Sequence, residues 1–390
     1  MSGRPAPISA MRIYADHNAS VPLRPEVLQV MLPFLREQYG NASSVHAWGA
    51  RARCAVEAAR AEVAALVGAR PADVVFTSGG TESNNLAIRG LERGNRRAVV
   101  VTTPIEHASV RESVAALADD GYEVRNVAVD GTGRVAPDAV AAAVDDDVAL
   151  VTVGWANNEV GTIQPIAAIG AACQARGIPL HVDAVQALGK IPIDVRGVAL
   201  LSLSAHKIGG PQGVGALVVR SDIGLRPLLR GGDQERGRRA GTENVAGIVG
   251  FGAACRLVGT ELGAAAEACI AMRERLWDGM RAAVPEVVRH SPTGPDCLPN
   301  TLTVSFGGVR GEALVAAVDL AGVAVSSGSA CAAGAGEPSH VLLAMGCDTA
   351  RARDGVRFSL GRTNVPEDVA RIVEVTGQAV RRIRMARAEA

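Results

Sequence analysis

Six short apolar runs, none alternating polar with apolar, constrain this chain more than any other feature. They are 73–78 (DVVFTS), 98–103 (AVVVTT), 148–153 (VALVTV), 178–183 (IPLHVD), 199–204 (ALLSLS) and 214–220 (VGALVVR). A strand that is apolar at every position leaves no face for water, so both of its faces are covered. Between these runs lie helical stretches at 81–94, 107–121 and 165–177, the last opening on Pro165 and closing on Gly177. Strands alternating with helices predict an α/β fold, a mainly parallel sheet with helices on both faces. After residue 245 the texture changes: a long Ala-rich stretch (245–283) precedes sparser strands at 300–306, 323–327 and 355–361, and a closing helix at 365–385. This predicts a large domain over 15–260 and a smaller α+β domain over 261–390 that also takes residues 1–14.

Bulk properties narrow the function. Of 390 residues, 48% are apolar, and Lys+Arg and Asp+Glu number 40 each, so no global charge draws the chain to nucleic acid or an acidic membrane. Only 3% of residues are aromatic, too few for stacking platforms on single strands. The seven cysteines form no C-x-x-C pair and no zinc-spaced cluster, which predicts reduced thiols rather than a disulfide framework. The N-terminus MSGRPAPISAMRIY lacks a signal peptide's apolar core, and Gly, Pro and charges interrupt every apolar run. The expectation is a soluble, cytoplasmic protein with no membrane segment and no direct nucleic-acid partner.

Three strand ends carry chemistry. The first run feeds into Gly79-Gly80-Thr81-Glu82-Ser83 and a helix, where two glycines admit a ligand to the backbone and the helix N-terminus offers free N–H groups. Thr81 can cap that helix and hold a phosphate oxygen; a plain glycine turn with a Thr cap is the alternative. In HVDAVQALGK, Asp183 ends a buried strand and needs a partner, either a pyridinium nitrogen or a nearby Arg. In SLSAHKIGGPQG, Lys207 follows the next strand with a Gly/Pro loop behind it, the setting of an amine whose basicity is lowered for Schiff-base chemistry. Together the three face one ligand more readily than three unrelated surface features do.

At these residues the chain resembles the cysteine desulfurases of the NifS/IscS type, in the class V aminotransferase group of pyridoxal-phosphate fold type I. The similarity runs from Ile13 to Arg362 through IYADHNASVPL, YGNASSVHAWG, FTSGGTESNN, PIEHASV, NNEVGTIQPI, HVDAVQALGK, SAHKIGGPQGVGAL, RAGTEN, SSGSAC and RFSLGR. The resemblance implies a large domain with a mostly parallel seven-stranded sheet and a smaller C-terminal domain carrying a loop around Cys331. It implies that Lys207 holds pyridoxal 5'-phosphate as a Schiff base, that Asp183 meets its ring nitrogen, and that His107 stacks on the ring and moves protons. Gly80, Thr81, Ser204 and His206 would bind the phosphate, Gln186 the phenolic oxygen, and Asn158 and Arg357 the substrate carboxylate. Thr242 would reach the phosphate in the neighbouring subunit of a homodimer, and Cys331 would take the sulfur of L-cysteine as a persulfide.

The implied activity gives L-alanine and passes sulfur to an acceptor protein for iron–sulfur cluster assembly, tRNA or DNA thiolation, or another sulfur-using pathway. The alternatives are a selenocysteine lyase, another class V aminotransferase-like enzyme, or a non-catalytic scaffold of the same fold. The start reads HNASVP where many relatives have a Thr-Thr pair before Pro, and the run from Arg362 to Ala390 is shorter than the tail of IscS-like enzymes, which leaves the sulfur's destination open. Small residues at 332–336 predict a mobile Cys331 loop, anchored beyond Glu337-Pro338-Ser339 by a helix start. Cys54, Cys173, Cys255 and Cys269 are expected in the core, Cys297 and Cys347 in loops, and Asn41 and His46 as turn residues.

Overall fold

The computed structural model describes residues 12–92, 98–327 and 337–388. The chain divides into two compact units, one of Ser20–Asn158 and Thr162–Gly263, the other of Met1–Ala19, Glu159–Gly161 and Ala264–Ala390. The second unit thus takes residues 15–19 and 159–161, which the boundaries drawn at 14/15 and 260/261 leave in the large domain. Pairing explains both: Asp16 bridges Ser359, and Glu159 accepts a hydrogen bond from Thr303 Oγ1 through its carbonyl oxygen (2.6 Å).

The larger unit is a seven-stranded sheet in the order Val74–Thr77, Gly215–Val219, Leu200–Ser204, Leu180–Asp183, Val148–Gly154, Val99–Thr102, Glu123–Asn126. The first six coincide with the six apolar runs and, but for Gly154, are buried at every position. The seventh, Glu123–Asn126, reads polar because this edge is exposed at both ends, whereas the other edge strand, Val74–Thr77, is buried throughout. Only Gly215–Val219 runs antiparallel to its neighbours. Gly215 therefore lies opposite both Ser204 and Thr77, so Thr77 ends at the same edge as Ser204, Asp183 and Gly154. The chain is tight there: a Cβ on Gly215 would stand 2.5 Å from the Leu203 carbonyl oxygen and 2.7 Å from Gly79 Cα.

Helices Gly80–Gly90 and Ala108–Asp119 cover one face, burying Leu86, Ile88, Val110, Val114 and Leu117 against Val75, Val100, Leu150, Leu200 and Leu217. Helix Ala47–Val67 is capped at its start by His46, whose Nδ1 accepts from Gly49 N (3.3 Å), and closed by Gly68 at φ 69°. Asn41 Oδ1 accepts from Ser43 N (2.9 Å) in the preceding turn. His181 spends both ring nitrogens on the sheet, Nδ1 with Thr152 Oγ1 (2.8 Å) and Nε2 with Ser202 Oγ (2.9 Å).

In the smaller unit, Val287–Arg289, Thr301–Phe306, Gly355–Ser359 and Ser326–Ser327 form an antiparallel sheet. Helices Gly311–Leu320 and Pro366–Ala388 bury Leu314, Val318, Ile372 and Val375 against its Leu302, Val304, Val356 and Phe358. Ser339 caps helix His340–Ala344 by accepting from Leu342 N, the helix start read from Glu337-Pro338-Ser339. The Val245–Ala283 helix is long and apolar enough to cross a membrane, contrary to the expectation that every such run is interrupted. Phe251, Ala254 and Cys255 are nonetheless buried, as are Leu276 and Met280 further along. Cys173 and Cys297 are also buried and Cys269 partly so, but Cys54 is exposed rather than in the core, because its helix turns that side outward.

One buried ion pair fixes an irregular segment. Arg60 donates to Glu235 through two nitrogens (2.7 and 2.9 Å) and to the Val74 carbonyl, while Phe76 N donates to Glu235 Oε2 (2.9 Å). Both side chains are nearly closed to water, 5% and 3% exposed, and Glu235 and Arg236 hold left-handed backbone at φ 49° and 60°. Removing one partner of such a pair leaves an uncompensated buried charge. Glu235→Ala is expected to cost about 3–5 kcal/mol in urea unfolding; a loss under about 1 kcal/mol would mean that Glu57, 3.1 Å from Arg60 Nε, or water compensates the guanidinium.

Candidate active site

The strand ends at this edge enclose a cavity of about 210 Å³. Nine of the residues expected in the site line it: Gly80, Thr81, His107, Asn158, Asp183, Gln186, Ser204, His206 and Lys207. Three others stand apart. Thr242 is exposed and is not among the lining residues, Arg357 belongs to the smaller unit, and Cys331 with its expected mobile loop lies outside the described residues.

At the cavity, helix Gly80–Gly90 starts behind Gly79, whose φ of 153° and ψ of −176° are open essentially to glycine alone. No side chain caps this helix, so the expected Thr81 cap is corrected: Thr81 is the second helical residue, too far along to cap. The first-turn N–H groups have no intrahelical partner and face the dipole's positive end. A Cβ on Gly80 would stand 2.6 Å from Val185 Cγ2, so the turn closes only with glycine there. Ser204 ends its strand, and Ala205–Lys207 forms a tight turn that brings Lys207 to the same cavity. Gly209 follows at φ 79°, where a Cβ would meet Arg24 Cγ at 2.7 Å. Burial and the neighbouring Lys207 charge push the His206 imidazole down to about 4.

Asp183 is buried and its hydrogen-bond donors are neutral. Oδ1 accepts from Val185 N (3.0 Å) and Oδ2 from Asn84 Nδ2 (2.7 Å), so the alternative of an Arg ion pair is not what the protein builds. Asn84 also donates to Ser109 Oγ (2.8 Å), and Ser109 reaches His107 Nδ1 through both its hydroxyl (2.8 Å) and its backbone N–H (3.1 Å). With Nδ1 accepting, the network assigns the proton of a neutral His107 to Nε2. Gln186 Oε1 accepts from Lys190 Nζ (2.6 Å), which orients the amide.

Asn84, Ser109 and Glu106 also line the cavity, outside the set the sequence motifs mark. Asn84 lies one helical turn after Gly80 and Ser109 two residues after His107, so spacing from the motifs was the available signal. Glu106 is a second carboxyl buried beside Asp183. Its Oε1 accepts from Thr103 Oγ1 (2.6 Å), and burial, with the Asp183 charge adding, pushes it up to about 8.

This donor set fits a phosphorylated pyridine: hydroxyls, an imidazole, an amine and a helix terminus suited to an anion, and an acceptor carboxylate suited to a ring N–H. A family model described as aminotransferase class-V matches residues 13–372. The chain belongs to the aminotransferase class-V family. This class-V chain is similar to the cysteine desulfurase of Cereibacter sphaeroides, 45% identical over 383 residues, which span 96% of this chain and 97% of that one. It is likewise similar to the cysteine desulfurase IscS of Methanosarcina thermophila, 42% identical over 95% of this chain and 93% of that one. Among solved structures, a NifS-like protein matches with a TM-score of 0.88 and 38% identity, covering 94% of this chain and 99% of its own. The class-V chain is a pyridoxal-phosphate-dependent enzyme.

Glu106 gives the pH dependence a sign. Its folded value is raised, so the native state keeps a proton that the unfolded chain releases above about 4.5. Its contribution is complete at low pH and falls as pH rises towards 8, by at most about 1.4 kcal/mol per pH unit. In cofactor-free protein, Glu106→Gln is expected to flatten the decline in unfolding free energy between about pH 5 and 8. An unchanged slope would show that Glu106 is already ionised.

Proposed function

We propose that this chain is a cysteine desulfurase that takes the sulfur of L-cysteine onto Cys331 and releases L-alanine. The observation that carries the reading is Lys207 and Asp183 on one cavity, at the ends of neighbouring parallel strands. Pyridoxal phosphate, once bound, supplies an electron-withdrawing ring that spreads the negative charge left when the substrate loses its α-proton. Asp183 would keep a proton at the ring nitrogen, and Gly80, Thr81, Ser204 and His206 would hold the phosphate. Lys207 Nζ would hold the cofactor, then take the α-proton and return it, with the Nε2 proton of His107 close to the same transfer. Gln186 would donate its amide to the phenolic oxygen. Asn158 and Arg357 would bind the substrate carboxylate, and Arg357 is prepared for it: the side chain is 2% exposed and oriented by Asp16 at 2.7 Å.

The Cys331 thiolate would then attack the substrate sulfur. The new S–S bond forms as the C–S bond breaks, its electron pair stays on carbon, and a proton completes alanine. An acceptor thiol collects the outer sulfur and restores the Cys331 thiol. The working unit is a homodimer in which Thr242 serves the partner's phosphate. Exposed Leu23, Leu28, Leu35, Tyr39, Val45 and Trp48 on the larger unit support an interface there. Free thiols at Cys54, Cys173, Cys255, Cys269, Cys297 and Cys347 suit a reducing, cytoplasmic setting.

With L-cysteine and a thiol acceptor, the protein is expected to release alanine and sulfide in equal amounts. Cys331→Ala is expected to keep the visible absorption of the bound cofactor and its shift on adding cysteine, and to lose sulfide release by about a hundredfold or more, as for a missing nucleophile. Sulfide release near the wild-type rate from Cys331→Ala would make Cys331 an ordinary loop thiol. 3-Mercaptopyruvate in place of alanine, with no sulfide, would make the chain an aminotransferase.

A further inference from the structure

The turn that would hold the phosphate carries its own negative charge. Glu82 is the third residue of helix Gly80–Gly90, directly after Gly80 and Thr81, and its Oε2 accepts from Ser78 N (2.8 Å). A carboxylate there already uses the attraction of the helix N-terminus and repels a second anion in the same turn. Arg239 answers that charge: Nε donates to Glu82 Oε1 (2.9 Å) and Nη2 to Oε2 (3.3 Å), with side chains 22% and 16% exposed. Burial pulls the Glu82 carboxyl up, but the hydrogen bonds from Arg239 and Ser78 outweigh it and hold it below the usual carboxylate range. The pair is therefore ionised, half sheltered and tied by a planar fork, the geometry in which guanidinium is worth more than a surface charge.

Arg239 also stands three residues before Thr242, in the segment that Glu235 pins to Arg60. Gly241 N donates to Gln234 Oε1 (3.0 Å), so the stretch from 234 to 241 is braced at three points. We propose that Arg239 is a positioning residue that neutralises Glu82, making the Gly80–Glu82 turn hospitable to a phosphate dianion and holding the segment that presents Thr242. This rests on the reading that the cofactor's phosphate binds at that turn.

Neutralisation and simple bracing predict different mutant cycles. The measurement is equilibrium binding of pyridoxal phosphate, and of pyridoxal without its phosphate, to cofactor-stripped full-length protein. Arg239→Gln leaves Glu82 uncompensated and is expected to weaken pyridoxal phosphate about tenfold, the effect of roughly one pKa unit of charge interaction, while pyridoxal changes less than about twofold. Glu82→Gln, which can still accept from Ser78, is expected to bind pyridoxal phosphate at least as tightly as the parent. The double variant is expected to recover to within about threefold, and Arg239→Lys to stay within the same range because the charge remains.

Equal losses from Arg239→Gln and Glu82→Gln, no recovery in the double variant, or equal losses for the two ligands would overturn the proposal and leave a structural brace. If Arg239→Gln does not fold, Glu82→Gln decides alone, tight binding supporting the proposal and weakened binding overturning it. Thr81→Val and Ser204→Ala test the underlying reading separately. If neither changes the preference for pyridoxal phosphate over pyridoxal, the phosphate lies elsewhere and both ideas fail; if both change it while Arg239→Gln does not, only the role of Arg239 fails.

Discussion

A carboxylate at the end of a strand buried on both faces is costly, and the arrangement around Asp183 is organised by that cost. The protein does not meet it with a cation. It offers two neutral donors, Asn84 Nδ2 and Val185 N, and continues the Asn84 amide through Ser109 to His107. The one other carboxyl on the cavity, Glu106, keeps its proton well above the usual carboxylate range, so the two do not compete as like charges. Such an environment suits a proton-bearing partner.

The other polar groups on the cavity are of a different kind. A helix N-terminus, two hydroxyl side chains, an imidazole and an amine line the same cavity as that carboxylate, groups that suit an anionic part of a ligand. The sheet makes that arrangement possible. Because Gly215–Val219 runs against its neighbours, the Val74–Thr77 strand presents its C-terminal end beside Ser204, and the glycine turn and the lysine turn share one edge. The amine is distinctive as well. The chain contains only two lysines, and Lys190 is engaged with Gln186, so Lys207 is the lysine that lines the cavity.

Much of this was legible in the sequence, for physical reasons that also explain what was not. Strands buried on both faces carry their signature residue by residue, whereas Glu123–Asn126 is an edge strand and resembles a loop. Helix Ala47–Val67 is hard to read because scattered arginines blur its apolar face. Gly80, Thr81, Asp183 and Lys207 are marked by strand ends and the other five expected cavity residues by the family resemblance, whereas the bond from Asn84 to Asp183 joins positions 99 residues apart, which no local pattern encodes. Thr is a common cap, but Gly79 holds that position here because essentially only glycine reaches the required backbone angles. The short insert Glu159–Gly161 belongs to the smaller unit through single hydrogen bonds, which composition cannot reveal.

The most direct measurement is reduction of the holoenzyme with borohydride, which fixes the cofactor to whichever amine holds it, followed by peptide mass mapping. The account requires the pyridoxyl label on Lys207 at about one per chain, with Lys190 unmodified. A label on Lys190, or no label in protein that still turns over cysteine, would contradict it.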